Sequence, residues 1–310
     1  MAPTPPIQTP PSPPPIAFAA GLMAYLIWGF IPLVFQVIGG YGVGPWETLA
    51  HRTFWAIPIA GLFVWMAGQG GQALAVFRKP RVLELLALSS LLIAANWVVF
   101  IWAVNNERVL QTSLGYFINP LLNMAAGALL FRERIDRTAQ IAIALAVVGV
   151  ALQALALGRL PWVSLTLAAS FCGYGIVRKR VAADAQTGLF IECLLLGIPG
   201  AVFALWLAQA GADHFTQGVA PAAWLIFSGL ATAIPLVLFA WAARRLPLSA
   251  MGFMQFLAPS MTFVMGVLQG EALTRLNMAS FVFIWIGAGV FAYGLWRASR
   301  RVPAAVAPVV

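Results

Sequence analysis

Residues 96–120, NWVVFIWAVNNERVLQTSLGYFINP, set many polar side chains in an apolar background. The polar groups in this stretch include Asn96, Asn105, Asn106, Gln111, Tyr116 and Asn119. Amide and hydroxyl groups in such surroundings either hydrogen-bond neighbouring helices together or line a path for a polar solute. The spacing of these residues and the rest of the sequence distinguish between helix packing and the lining of a path.

Three of the polar residues share one face of a predicted helix. Tyr116, Asn119 and Asn123 are spaced i, i+3, i+7, which brings them to the same side. A shift of 139 residues carries these positions to Gln255, Ala258 and Thr262, a similar but thinner polar stripe. For a single amide, hydrogen bonding between helices is the simpler interpretation, but two matched stripes favour the lining of a cavity.

Ionisable side chains within apolar stretches are candidate functional groups. The segment WETLAHRTFW places Glu47 and His51 one helical turn apart, with Arg52 beside them. Arg52 could extend outward to the membrane surface, attract an anionic group or close an outer gate. His51 could take part in proton coupling, although a structural histidine is the simpler interpretation. Glu84 and Glu192 lie near inner helix ends and are predicted to be interfacial.

The sequence therefore predicts two groups of site residues. A central substrate cavity is predicted to be lined by Tyr25, Trp28, Asn96, Tyr116, Asn119, Asn123 and Gln255, since aromatic walls with a few polar groups are typical of small-molecule pockets. Glu47, His51 and Arg52 are predicted to form a gate or charge cluster near the outer entrance. With no HExxH motif, Cys/His cluster or P-loop in the sequence, no enzyme activity, metal site or cofactor is predicted.

The composition indicates a chain whose solvent is lipid. It is 62% hydrophobic and only 9% charged, with mean hydropathy +0.90, whereas soluble domains carry about 25% charged residues. The net charge of +9 is spread over short clusters, so a lipid bilayer and a small-molecule substrate are the predicted partners, and nucleic acid is not. Cys172 and Cys193 lie in apolar segments without CxxC spacing, so neither a disulfide nor a metal site is expected. The oligomeric state stays open.

Apolar runs of bilayer length predict an all-α polytopic membrane protein. Ten transmembrane helices are predicted, at 16–38, 46–67, 82–104, 109–131, 138–157, 161–178, 187–209, 222–243, 248–268 and 276–297. With the N-terminus inside, fourteen Lys and Arg residues fall in inner segments, and three fall in outer loops: Arg108, Arg159 and Arg275. Basic residues concentrate on the cytoplasmic side, so both termini are predicted to be cytoplasmic.

The two halves of the chain share residues at a fixed offset. A shift of 139 aligns Phe100 with Phe239, Trp102 with Trp241, Pro120 with Pro259 and Gly127 with Gly266. Five helices in each copy would invert the second copy in the membrane and place a site where the copies meet. The predicted division is a disordered Pro-rich tail at 1–15, repeats at 16–157 and 158–298, and a C-terminal tail at 299–310.

Several motifs are shared with a known transporter family. AYLIWGFIPLVF, ETLAHR, WAVNN, SLGYFINPLLN, FRERI and ARRLPLS fall within residues 17–300. This set resembles the RarD-type permeases of the EamA branch of the drug/metabolite transporter superfamily. The resemblance implies ten helices in two inverted five-helix repeats, cytoplasmic termini and a bacterial inner membrane. The chain departs from the family pattern at Gln36, where relatives often have Lys, and at Phe256, where Tyr is usual.

The function predicted from these features is secondary transport of a small metabolite or drug-like molecule by alternating access, in the export direction. A lipid-handling flippase, an intramembrane enzyme and a non-transporting regulatory component remain as alternatives. A lipid substrate would need a cavity that opens sideways between helices, whereas a metabolite transporter opens to water on alternate faces. The sequence identifies neither the substrate nor a coupling ion.

Overall fold

The computed structural model describes residues 15–131, 137–243, 245–246, 251 and 254–301. Of the N-terminal tail predicted at 1–15 and the C-terminal tail predicted at 299–310, only Pro15 and residues 299–301 are among the described residues. Eleven helices and no strand occur within those ranges. They are α1 (Pro15–Gly40), α2 (Pro45–Met66), α3 (Gly70–Val76), α4 (Pro80–Val104), α5 (Val109–Phe131), α6 (Arg137–Leu157), α7 (Trp162–Arg180), α8 (Ala185–Gln209), α9 (Val219–Ala243), α10 (Leu257–Leu268) and α11 (Arg275–Arg301).

Six of the described helices have the length and apolar composition needed to cross a membrane: α1, α4, α6, α8 and the greater parts of α9 and α11. Helices α2 and α3 meet the same criterion together, although they are bent by 120° at the break between them. Large apolar side chains on the outside of the bundle are well exposed, including Trp65, Leu129 and Leu268. Such a surface suits lipid rather than water, and the protein is a multi-pass membrane protein.

The predicted helices coincide with described ones, with two differences. Helix α3 lies where the sequence predicted only a loop, and it forms because Ala73 and Val76 are buried, with Val76 packed against Leu86 and Ile191. The helix predicted at 248–268 is described as continuous only from Leu257 to Leu268. Most of residues 247–253 fall outside the described ranges.

Helix packing joins the first half of the chain to the second. Helix α2 packs along α8, α6 along α11, α1 along α9, and α4 along α7. Helix α5 contacts both α7 and α10, and α1 also contacts α10. Small residues permit close approach at these interfaces, since a Cβ on Gly200 of α8 would lie 2.9 Å from Ala50 Cα of α2. The two halves are therefore interleaved rather than laid side by side.

An aromatic and aliphatic core fills the centre of the bundle, between α1, α4, α5, α7 and α9. Phe35, Phe100, Leu167 and Leu225 are buried there, and Tyr116 packs against them. The outer end of the bundle is defined here by the loops at residues 41–44, 105–108, 158–161, 210–218 and 269–274, which the sequence places outside. The inner end holds the loops at 67–69, 77–79 and 181–184.

Candidate functional site

Asn96 ties three helices together at the centre of the bundle. It lies on α4, is 1% exposed, and its Nδ2 donates to Leu167 O (2.9 Å) and Ser170 Oγ (3.1 Å) of α7. Its Oδ1 accepts a hydrogen bond of 3.1 Å from the hydroxyl of Tyr116 on α5. In this conformation Asn96 links the two halves and fixes the position of the Tyr116 phenol.

Arg52 turns into the bundle rather than outward to the membrane surface. Its side chain is 4% exposed, and Nε donates to Thr232 Oγ1 of α9 at 2.9 Å. The guanidinium lies 4.0 Å from the ring centre of Trp97 and 5.1 Å from that of Phe35, which are cation–π distances. Across the described part of the chain, Arg52 has no carboxylate within 4 Å.

These side chains form one connected group, the central cluster, which consists of Phe35, Arg52, Asn96, Trp97, Tyr116 and Thr232. Ring contacts continue from Phe35 through Phe100 to Tyr116, with centroid distances of 6.1 and 5.6 Å. Helices of both halves contribute to the central cluster, because Thr232 lies on α9 and the others lie on α1, α2, α4 and α5.

Tyr25 and Trp28 form an aromatic group with Phe239. Both lie on α1, and their rings meet each other at 5.2 Å and the ring of Phe239 on α9 at 6.1 and 5.6 Å. Trp28 also packs against the apolar core that contains Phe35. The structure thus brings the two predicted α1 residues together, with Trp28 against the core that contains Phe35 and Tyr25 in a neighbouring cluster with Leu246 and Met251.

The other predicted cavity residues, Asn119, Asn123 and Gln255, differ from one another in burial and in surroundings. Asn119 is 6% exposed, and its Oδ1 has no hydrogen-bond partner among the described residues, which leaves a buried acceptor available. Asn123 is exposed, close to Gly175 of α7. Gln255 is not on a continuous helix with Thr262 as the spacing predicted. It is half-buried in a turn before α10 and its N–H donates to Met251 O at 3.1 Å.

The structure divides the predicted charge cluster. Glu47 is 4% exposed and contacts His214 in the α8–α9 loop, accepting from its backbone N–H at 2.7 Å and lying 2.8 Å from its Nδ1. His51 stacks on Phe215 of the same loop, at 4.8 Å and 9°. Arg52, by contrast, points into the central cluster. Sequence reasoning missed His214 and Phe215, since nothing in their spacing indicates a partner on α2.

Two other contacts at the outer end join the halves and were not foreseen. Gln36 and Gln269 exchange side-chain hydrogen bonds of 3.0 and 2.8 Å. The Glu271 carboxylate accepts from the backbone N–H groups of Val109 and Leu110, and so caps the N-terminus of α5. Burial raises the pKa of the Glu271 carboxyl, while these backbone hydrogen bonds act in the opposite direction. The available signal in the sequence is that the 139-residue shift takes Glu133 to position 272, one residue from Glu271; Glu133 itself lies outside the described residues.

Glu192 is buried, contrary to the expectation of an interfacial carboxylate. It is 3% exposed on α8 and accepts hydrogen bonds from Ser89 Oγ of α4 (2.5 Å) and the hydroxyl of Tyr174 on α7 (3.2 Å). Arg178 Nε lies 3.7 Å from the same carboxylate. A buried acid with this many partners is compensated within the fold.

No three His, Cys, Asp or Glu side chains of the described ranges converge as metal ligands would. Both cysteines, Cys172 and Cys193, are buried and free. The side chains gathered at the centre of the bundle are instead aromatic, amide, hydroxyl and guanidinium groups. Such a set can hold a small molecule by stacking, hydrogen bonds and charge, without covalent chemistry.

Known proteins resemble the chain in sequence and in fold. The sequence profile of the EamA-like transporter family matches residues 15–155. An uncharacterized transporter of Pseudomonas aeruginosa is 38% identical over 92% of this chain and 96% of its own length. Protein RarD of Streptomyces exfoliatus is 39% identical over 94% of this chain and 93% of its own length. A solved crystal structure has the same fold, with a TM-score of 0.58 at 19% identity over 91% of this chain and 98% of that one.

Proposed function

Since the chain belongs to the EamA-like transporter family, as a RarD-type permease, we propose that it is a secondary transporter that works by alternating access. The family establishes a membrane transporter of the drug/metabolite superfamily. The proposal adds a small metabolite or drug-like molecule as cargo, export as the direction and the bacterial inner membrane as the location. The observation that carries it is the central cluster, a buried polar group to which both halves of the chain contribute.

The pattern of helix contacts supports ten crossing helices in two inverted repeats. Let α1, α2, α4, α5 and α6 correspond to α7, α8, α9, α10 and α11. The contact of α1 with α9 then corresponds to that of α7 with α4, and the contact of α1 with α10 to that of α7 with α5. The α2–α8 and α6–α11 pairs correspond to themselves. A two-fold axis in the membrane plane, which interchanges the two repeats, would produce this correspondence of helix contacts.

The distribution of charge supports cytoplasmic termini. Arg178, Lys179 and Arg180 lie in the last turn of α7, at the inner end. The contacts at the outer end use mainly amides and carboxylates, including Gln36, Gln269 and Glu271. An inner end rich in basic residues agrees with the positive-inside rule.

Contacts between the halves at both ends of the bundle support a gated path through the centre. At the outer end, Glu47 meets His214, and Gln36 meets Gln269. At the inner end, Gln69 donates to Asp184 at 3.0 Å and accepts from Thr187 at 3.2 Å. Alternating access requires one set of contacts to separate while the other holds, so that the central cluster faces one side at a time.

The test is a comparison of solutes inside and outside cells in which the protein is deleted, overproduced or replaced by Asn119→Leu. We expect one class of solute to shift across the membrane with protein level, and the direction of the shift to give the direction of transport. Asn119→Leu should reduce the shift while inserting normally, and Asn106→Ala, at an exposed position, should leave it unchanged. A protein-dependent change confined to lipid asymmetry would favour lipid handling, and no change at all would contradict transport.

A further inference from the structure

We propose that the transported solute carries an anionic group and that Arg52 is the residue that binds it. This inference rests on the proposed function, since it names the class of molecule that the same central cluster would hold. It goes beyond the sequence interpretation, which left Arg52 as a surface group, an anion attractor or a gate residue.

The positive charge of Arg52 is buried without a compensating negative charge. Its described contacts are the hydroxyl of Thr232 and the ring faces of Trp97 and Phe35, all of which are neutral. Aromatic rings attract a cation but do not cancel its charge. An unpaired ion in the interior of a membrane protein is costly, and such groups commonly mark the path of a substrate or ion.

Glu192 provides an internal comparison. Arg52 is the eighth residue of α2 and Glu192 is the eighth residue of α8, and the 139-residue shift takes Arg52 to Ile191, one position from Glu192. The same shift pairs their aromatic neighbours directly, because Phe35 beside Arg52 and Tyr174 beside Glu192 are 139 residues apart. Yet Glu192 has the cation of Arg178, while Arg52 has no carboxylate within 4 Å among the described residues. The fold compensates one of these two buried charges and leaves the other for a ligand.

A second unpartnered group lies on the same helix. Trp55 follows Arg52 by three residues, so the two share a face of α2, and both approach α9: Arg52 contacts Thr232, and Trp55 packs on Gly229. The indole Nε1 of Trp55 is buried with no acceptor in the described part of the chain. A buried N–H donor one turn along the same helix from an uncompensated guanidinium suits a ligand rich in acceptor oxygens, although the Trp55 ring itself packs on Phe215.

The side chains around Arg52 indicate the chemical character of the rest of the solute. Trp97 and Phe35 surround Arg52, and Trp28 packs against the same apolar core as Phe35, so the neighbourhood suits an apolar or aromatic body. A guanidinium pairs with the planar oxygens of a carboxylate or with a phosphate ester. We therefore expect an organic anion of small size, with either head group.

The first experiment repeats the solute comparison with Arg52→Gln and Arg52→Lys, and with Arg159→Gln as the matched control at an exposed position of the outer end. Solutes that respond to protein level are sorted into carboxylates, phosphate esters, anionic lipids, and neutral or cationic molecules. We expect anions to respond, Arg52→Gln to reduce their movement by about tenfold or more, Arg52→Lys to retain a part, and Arg159→Gln to retain all.

The possible outcomes separate this inference from the function on which it rests. If neutral or cationic solutes respond, or if Arg52→Gln transports anions as well as the wild type does, Arg52 is not an anion site, although the transporter stands. If no solute or lipid responds, both the transporter and the anion site fall. If the anions that respond are lipids, the anionic group that Arg52 binds is a lipid head group rather than part of a soluble metabolite.

The second experiment measures binding to the purified full-length protein. Its melting temperature is recorded with sodium phenylacetate, with phenyl phosphate and with the neutral isostere phenylacetamide. We expect at least one anion to raise the melting temperature of the wild type, phenylacetamide to have no effect, and Arg52→Gln to lose the response. An equal shift with phenylacetamide, or no shift with either anion, would contradict the inference.

Discussion

The carboxylate of Glu271, in the loop after α10, accepts a 2.9 Å hydrogen bond from the backbone N–H of Leu110 in the first turn of α5. This contact joins the second half of the chain to the first at the outer end. In the proposed alternating-access cycle, opening to the outside would break it, together with the Gln36–Gln269 and Glu47–His214 contacts. The first two predictions concern this outer closure.

Acid should favour the closed outer end through Glu271. Burial raises the pKa of this carboxyl in the closed arrangement, so the closed state binds the proton more tightly than an open state that exposes it. The preference for closure therefore grows as pH falls through the raised pKa, and is complete below the ordinary carboxyl value of about 4.3.

The readout is labelling from outside by an impermeant maleimide at Ala103→Cys, in a background lacking Cys172 and Cys193. Labelling should fall on acidification, and Glu271→Gln should remove this pH dependence. A dependence that survives in Glu271→Gln would assign it to another group.

His214→Ala should weaken the outer closure without affecting the central cluster. It removes the imidazole that lies 2.8 Å from the Glu47 carboxylate, and keeps the backbone N–H that donates to the same residue. We expect faster labelling at Ala103→Cys and little change in thermal stability, since one partly exposed contact is worth about 1 kcal/mol or less. Arg159→Ala, at an exposed outer position, is the control. Unchanged labelling would show that the Glu47–His214 contact does not hold the outer end closed.

Asn96→Leu tests whether this amide is structural. The substitution removes hydrogen bonds to Leu167 O, Ser170 Oγ and the Tyr116 hydroxyl, and should cost about 1–3 kcal/mol of stability. The melting temperature of the purified protein measures this cost, with Asn106→Leu as the exposed control. A variant as stable as the wild type that has lost transport would instead indicate that Asn96 contacts the solute.

Arg178→Met should lower the stability of the protein, whereas Arg52→Met should not. Loss of Arg178 leaves the buried Glu192 carboxylate without its cation, and should cost about 3 kcal/mol. Loss of Arg52 removes a charge that has no counter-ion in the described structure, and should leave the melting temperature equal or higher. Glu192→Gln combined with Arg178→Met should recover part of the lost stability. A large loss in Arg52→Met would mean that the guanidinium is a structural element.

The sequence predicted the helices better than it predicted the contacts between them. Apolar runs of bilayer length identify α1, α4 and α8 because length and composition are local properties. They did not predict α3, whose seven residues are helical only because Val76 packs on Leu86 and Ile191. A short helix that depends on tertiary contacts leaves little trace in the sequence.

For the candidate site, too, the sequence identified residues but not the contacts between them. Tyr116 and Asn96 were both identified as polar groups in an apolar stretch, but their hydrogen bond could not be inferred from a spacing of twenty residues. The pairing of Glu47 with His214 spans 167 residues and depends on how the α8–α9 loop covers α2. Burial of Glu192 was missed because its distance from the helix end says nothing about Ser89 and Tyr174 on neighbouring helices.

The interleaving of the halves has a consequence for how the protein is made. Helices α1, α2 and α6 find their main packing partners in α9, α8 and α11, which leave the ribosome later. Membrane helices insert first and associate afterwards, so the first half must wait in the bilayer with Glu47, Arg52 and Asn96 facing lipid or one another. Neither half should be stable when produced alone, whereas producing the two halves together should give a stable protein. Assembly of this protein is therefore completed only when synthesis ends.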